Sequence, residues 1–160
     1  MRKMKEIIDK SNIFSRIAIE NFADLINFIS APLVSNQDVS QEFPDQVIER
    51  EKKFPTGLPI QSFGVAIPHT DTKFVNNDKL TIVTLDKPIS MRVMGGTGEE
   101  KVDVSIIFLL ALSQSNKQLN ILTELMKIFQ KSNLLDKIYN SNKEEIYEIV
   151  INNLNLEGKS

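Results

Sequence analysis

The chain holds one histidine, His69, in the stretch FGVAIPHTD, and no side chain is better suited to group-transfer chemistry. Imidazole is a neutral nucleophile near pH 7, with an unperturbed pKa of about 6.5, and it can act covalently. A phosphoryl group placed on a ring nitrogen stays reactive, so it can be passed onward and not merely hydrolysed. Such a transfer needs cations or hydrogen-bond donors around the equatorial oxygens. Arg50, in EREKKFPTGLP, is the candidate cation, and Thr56 and the amide of Gly57, in the PTG turn, are candidate neutral donors. Thr70 and Asp71 follow the histidine directly and are placed to hydrogen-bond the ring or the local backbone.

A lone histidine is more often a hydrogen-bonded or surface imidazole than a reactive one, so its setting matters. VAIP delivers a strand-like apolar segment into a proline, and Pro68 biases Ile67 toward an extended conformation. His69 therefore falls where a strand leaves the sheet, on a stiffened backbone.

Other candidates are weaker. MGGTGEEK at 94–101 is rich in glycine, but Glu99 and Glu100 would repel a phosphate and a strand, not a helix, follows. It reads as a connection between two strands. The carboxylates of EEIYE and EREKK sit on helices, where charged side chains form a solvated face. A Ser-His-Asp arrangement is arithmetically possible, yet no G-x-S-x-G elbow is present.

Composition narrows the classes further. With 160 residues, 41% apolar and 25% charged, the chain reads as one domain with its own core. The absence of cysteine excludes thiol catalysis, disulfides and iron–sulfur clusters within the chain, and a single histidine excludes multi-imidazole metal sites. No metal or cofactor is expected. A net charge of −2 predicts no bulk attraction to nucleic acid or anionic lipid. The N-terminal MRKMKEIIDKSNIF breaks into charges before a signal region could form, and VDVSIIFLLAL at 102–112 is about half a membrane span. The reading is a soluble, cytoplasmic protein without direct membrane insertion.

The elements that must position His69 follow from periodicity. Ile19, Phe22, Ala23, Ile26 and Ile29 predict a core-facing helix over 17–29, with the pattern broken by SAPLVSNQDVSQEF. A second helix is expected from about Ser40 to Lys53, with Pro44 in its early turns, stopping at FPTGLP. Strands are expected at 79–86, 88–93 and 102–112, the last buried on both faces. The final third is helical, with one stripe of Leu119, Leu122, Leu125, Met126 and Phe129 and another of Ile146, Ile149, Val150 and Leu154. A strand-rich middle between helical ends leaves both α/β and α+β arrangements open.

Taken together, EREKKFPTGLP, GVAIPHTD, PISMRVMGG, IIFLLAL and QLNILTELMKIF resemble the enzyme IIA family of the bacterial sugar phosphotransferase system, in the fructose–mannitol superfamily and its galactitol-type branch. The order and spacing hold from about residue 15 to 155. The resemblance implies a single enzyme IIA-type domain over 1–160, of the α/β class (an α+β sandwich). Its mixed β-sheet would have about five strands, flanked by helices on both sides. It implies that His69 takes a phosphoryl group from a histidine phosphocarrier protein and gives it to a cysteine of enzyme IIB. A membrane enzyme IIC then moves the sugar or polyol. Arg50 matches the family's arginine near the active histidine. Mannitol-type relatives carry a second histidine at the start of the helix corresponding to NKQLNIL, where this chain has Gln118. Glutamine can donate to a phosphoryl oxygen but carries no charge. The alternatives are a regulatory phosphocarrier of the same family, uncoupled from transport, and an interaction module in which His69 only packs. No affinity for free sugar is expected, since Phe54, Leu58, Phe63 and Ile67 suit a rim that docks a protein.

Overall fold

The most apolar run of the chain forms the middle of a five-stranded sheet. The computed structural model describes residues 7–60, 63–131 and 133–154. The elements are β1 (Ile13–Ile17), α1 (Phe22–Ser35), α2 (Phe43–Lys53), β2 (Gly57–Pro59), β3 (Gly64–Ala66), β4 (Lys79–Arg92), β5 (Lys101–Ala111), α3 (Ser115–Gln130), α4 (Leu134–Tyr139) and α5 (Lys143–Asn153). The strand order is β1-β4-β5-β3-β2. The β1–β4 and β3–β5 pairs are parallel, whereas β4–β5 and β2–β3 are antiparallel. The sheet is mixed.

Side chains alternate across a strand, so β5 feeds two cores. Ile106, Phe108 and Leu110 join Ile121, Leu125 and Ile128 of α3 and Ile146 and Val150 of α5 on one face. Ile107, Leu109 and Ala111 join Leu25, Ile26 and Ile29 of α1 and Phe43 and Val47 of α2 on the other. Helices cover both faces, which bears out the expected class.

Two features aim the sheet at His69. Because β3 and β5 run parallel, their C-terminal ends emerge at the same edge, where the Leu110 amide donates to the Pro68 carbonyl at 3.0 Å. The β4–β5 hairpin is also bent. Thr84 pairs with Ile106 and Ile89 with Val104, so β4 places residues 85–88 opposite residue 105 alone. A bulge of this kind turns the strand. The hairpin tip folds onto β2, with the Met94 amide donating to the Gly57 carbonyl at 2.8 Å. At Gly57 an added Cβ would lie 2.6 Å from the Arg92 carbonyl oxygen, so only glycine permits the approach.

Several sequence expectations are corrected. The helix expected over 17–29 begins at Phe22, because residues 13–17 pair with β4 and the Asn21 side chain caps the helix by accepting from the Asp24 amide at 2.8 Å. It also continues through Pro32 to Ser35, and the buried Leu33 holds this last turn on the core. The FPTGLP break contains β2. The separate strands at 79–86 and 88–93 are one bulged strand. In α3 Leu119 is 65% exposed and Ile121 takes its place in the core. Ile67 is not at a rim, being 1% exposed. The N-terminal targeting reading rests partly on residues 1–6, which lie outside the described residues.

Candidate functional site

β3 ends at Ala66, and Ile67 and Pro68 carry the chain out of the sheet to His69. Ile67 is locked in the core, so its carbonyl is a fixed acceptor. Nδ1 of His69 lies 2.9 Å from it. A carbonyl only accepts, so Nδ1 carries the proton and Nε2 holds the free lone pair. The ring is half-buried. Burial lowers its pKa below the ordinary histidine value, the Ile67 carbonyl opposes that shift, and the positive charge of Arg50 adds to it. His69 is a neutral imidazole at pH 7.

His69 opens into a cleft of about 470 Å³ between the C-terminal end of α2, the turn before β2 and the tip of the β4–β5 hairpin. Arg50, Lys53 and Arg92 line it, and among the described residues no carboxylate does. The Arg50 guanidinium lies over the Phe54 ring, 4.7 Å from its centroid, while Phe54 itself is 59% exposed. Nε of Arg50 is buried and has no hydrogen-bond partner among the described residues. Arg50, Lys52 and Lys53 all fall in the last turn of α2, where the helix dipole favours cations.

The remaining sequence candidates are distributed differently. Thr56 lines the cleft, but both its donors are engaged: its amide and its hydroxyl donate to Glu51 at 2.8 Å each. Burial pushes the Glu51 carboxyl up, against the lowering effect of the two Thr56 bonds and the Arg92 charge. Thr56 therefore holds the turn and offers no free donor. Gly57 is buried in the β2–β3 pairing and bridged to Val93. Thr70 and Asp71 line an adjoining cleft, again with Arg50, and the ring's partner is the Ile67 carbonyl instead of either of them.

Gln118 sits in the first turn of α3, which starts just after β5 ends at the His69 edge of the sheet. Its Oε1 is buried without a partner among the described residues, and its side chain is not among those lining the His69 cleft. The turn is fastened from below: buried Asp78 accepts from the Ser113 amide and hydroxyl, at 2.8 Å each, and from Nζ of Lys117 at 3.0 Å. Among the described residues, no three His, Cys, Asp or Glu side chains come together as metal ligands.

Three contributors were not legible from the sequence. Lys53 reads as one more solvated lysine, although its place one turn after Arg50 was a usable signal. Arg92 and the Met94–Gly98 loop reach the cleft only because the β4 bulge folds the hairpin back, and no local pattern announces that. The segment read only as a strand connection is also a wall of the site.

The family described as "Phosphoenolpyruvate-dependent sugar phosphotransferase system, EIIA 2" matches residues 6–153. Multiphosphoryl transfer protein 1 of Escherichia coli is 29% identical over 141 residues, covering 87% of this chain, and the chain spans 15% of that protein's length. The galactitol-specific EIIA component of the same organism is 22% identical over 130 residues, covering 80% of this chain and 85% of the relative. The fold is shared with enzyme IIAMTL of Escherichia coli, solved in complex with phosphorylated enzyme IIBMTL. That match has a TM-score of 0.71 at 17% identity and covers 91% of this chain and 99% of the other.

Proposed function

The chain belongs to the EIIA 2 family of the phosphoenolpyruvate-dependent sugar phosphotransferase system, whose members are phosphotransferase components that carry phosphoryl groups, and from that premise we propose that His69 is the carrying residue, through Nε2. The observation that supports this most strongly is the buried Nε of Arg50, unpartnered among the described residues, in a cleft where the described residues beside His69 include three cations and no acid. A buried donor without a partner costs about 1–3 kcal/mol, and more when charged. A phosphoryl oxygen is the acceptor that would satisfy it.

The donor is a histidine phosphocarrier protein and the acceptor is a cysteine of enzyme IIB. In the first transfer the Nε2 lone pair of His69 forms a bond to phosphorus as the donor's P–N bond breaks and its electron pair returns to the donor ring. The proton stays on Nδ1, donated in a hydrogen bond to the Ile67 carbonyl, which stabilises the positive charge that develops on the imidazole. Arg50 meets the equatorial oxygens, where a guanidinium fork suits a planar PO₃ group. In the second transfer the partner's thiolate attacks phosphorus and the P–Nε2 bond breaks, restoring neutral His69. The rim offers the exposed side chains of Phe54 and Met94 to the two successive partner proteins.

The wider system takes up a sugar or polyol of the galactitol type through a membrane enzyme IIC, and this chain works on the cytoplasmic side. Among the described residues no helix is long and apolar enough to cross a membrane. The test is intact-mass measurement after incubation with phosphoenolpyruvate, the system's first enzyme and the histidine carrier. One phosphoryl mass should appear on the wild type and none on His69→Ala. Gain on His69→Ala would refute the assignment. Addition of the cognate enzyme IIB should return the mass to its starting value.

A further inference from the structure

We propose that Arg92 is a second phosphoryl-binding cation, carried into the His69 cleft by the folded-back β4–β5 hairpin; the inference rests on the phosphocarrier reading. Three observations carry it. First, Arg92 lines the same cleft as His69 and Arg50, although it lies far from both in sequence and on a different element. Second, one Nη2 donor of Arg92 is anchored on the Lys52 carbonyl at the end of α2. That anchor holds the guanidinium beside the cleft wall and leaves its other N–H groups available for an anion. Third, the two residues following Arg92 are stitched to β2, through the Val93–Gly57 bridge and the bond from Met94 to Gly57, so its backbone is held while Gly57 keeps the approach close.

The charge balance points the same way. A phosphoryl group on histidine carries close to two negative charges near neutral pH, and one guanidinium does not neutralise it. Arg50 lies against the aromatic ring of Phe54 on the α2 side. Arg92 arrives from the hairpin side, so the pair would grip oxygens from two directions. The competing role for Arg92 is that of a simple counter-ion to Glu51, whose carboxylate it stabilises from a distance. That role needs only a positive charge. Gripping PO₃ needs the fork.

The two roles separate in one experiment with a small donor, potassium phosphoramidate, which requires no partner protein. The His69 Nε2–P bond forms as the donor's P–N bond breaks and ammonia leaves. Uptake is followed by intact mass, and the phosphohistidine lifetime is followed after the donor is removed. Arg92→Gln should slow uptake by about tenfold or more, in line with loss of a charged hydrogen bond. Arg92→Lys keeps the charge beside Glu51 and the fold, yet should still be several-fold slower, with a changed lifetime. Lys101 is paired opposite Arg92 on β5 but lies outside the His69 cleft. Lys101→Gln, which alters the net charge equally, should match the wild type. A wild-type rate and lifetime in Arg92→Lys would overturn the proposal in favour of the counter-ion role. A Lys101→Gln as slow as Arg92→Gln would overturn it in favour of a general field effect. Failure of the wild type to gain a phosphoryl group would overturn the carrier reading itself.

Discussion

Nδ1 of His69 lies 2.9 Å from the carbonyl oxygen of Ile67, a residue buried in the core. The bond fixes both the tautomer and the direction of the ring. Its acceptor belongs to the backbone of the segment that delivers the histidine, so the same apolar residues that end β3 also prepare the nucleophile. Neither Thr70 nor Asp71 is needed for this.

The pKa of His69 is lowered chiefly by burial, and the sign of its effect on stability follows. The folded state resists protonation that the unfolded chain accepts. The contribution is therefore fully present above the unfolded value of about 6.5 and is lost as pH falls from there through the lower folded value. Urea unfolding between pH 7.5 and 5 should show a steeper loss of stability for wild type than for His69→Ala. Parallel curves would contradict the buried, neutral imidazole.

Arg50→Lys should fold normally and transfer phosphoryl groups about ten to a hundred times more slowly, since a point charge replaces a fork. Stopped-flow or quenched transfer from the phosphorylated carrier measures this. Unchanged kinetics would remove Arg50 from the site.

Thr56→Val removes the hydroxyl bond to Glu51 while keeping shape. Stability should fall by about 1.5–3 kcal/mol, the range for a hydrogen bond to a charged group, as read by denaturant unfolding. An equally stable variant would mean that the Glu51–Thr56 pair does not hold the turn before β2.

How much of this was open to inspection in the sequence depends on the range of each interaction. The nucleophile, its proline and its arginine sit in two short stretches, and β5 announces itself as an unbroken apolar run. Residues 17–21 look helical in a local window because Ile19 extends the spacing of α1, whereas Ile17 ends β1, which only its partner strand β4 claims for the sheet. Leu119 obeys the helical stripe but falls outside the buried arc, where Ile121 replaces it. Arg92 is invisible for a longer-range reason, since its place in the cleft depends on a bulge at 85–88 and on the lack of a side chain at Gly57.

Gly57→Ala puts a Cβ 2.6 Å from the Arg92 carbonyl oxygen and 2.9 Å from a Val102 methyl. Backbone cannot yield as a flexible side chain would, so the hairpin tip must move. The expected cost is about 1–3 kcal/mol, accompanied by slower phosphoryl uptake because the cleft loses its far wall. Unimpaired stability and uptake together would show that the hairpin is not held through Gly57.

Gln118→Ala removes an Oε1 that is buried without a partner among the described residues. Little change in melting temperature is expected, since no protein hydrogen bond from that atom is lost. If Gln118 reaches the phosphoryl group once it is bound, the lifetime of phosphohistidine should shorten. Equal lifetimes would place Gln118 outside the site.

The central claim is that the phosphoryl group is carried on Nε2 of His69 while Nδ1 keeps its proton. Because the chain contains one histidine, ¹⁵N NMR of histidine-labelled protein reports this ring and no other. Before transfer, the ring should show a protonated Nδ1 and an unprotonated Nε2. After incubation with the phosphorylated carrier, Nε2 should shift and couple to phosphorus, with Nδ1 still protonated. A phosphoryl group on Nδ1, or an unchanged histidine spectrum in protein that has gained the phosphoryl mass, would contradict the account.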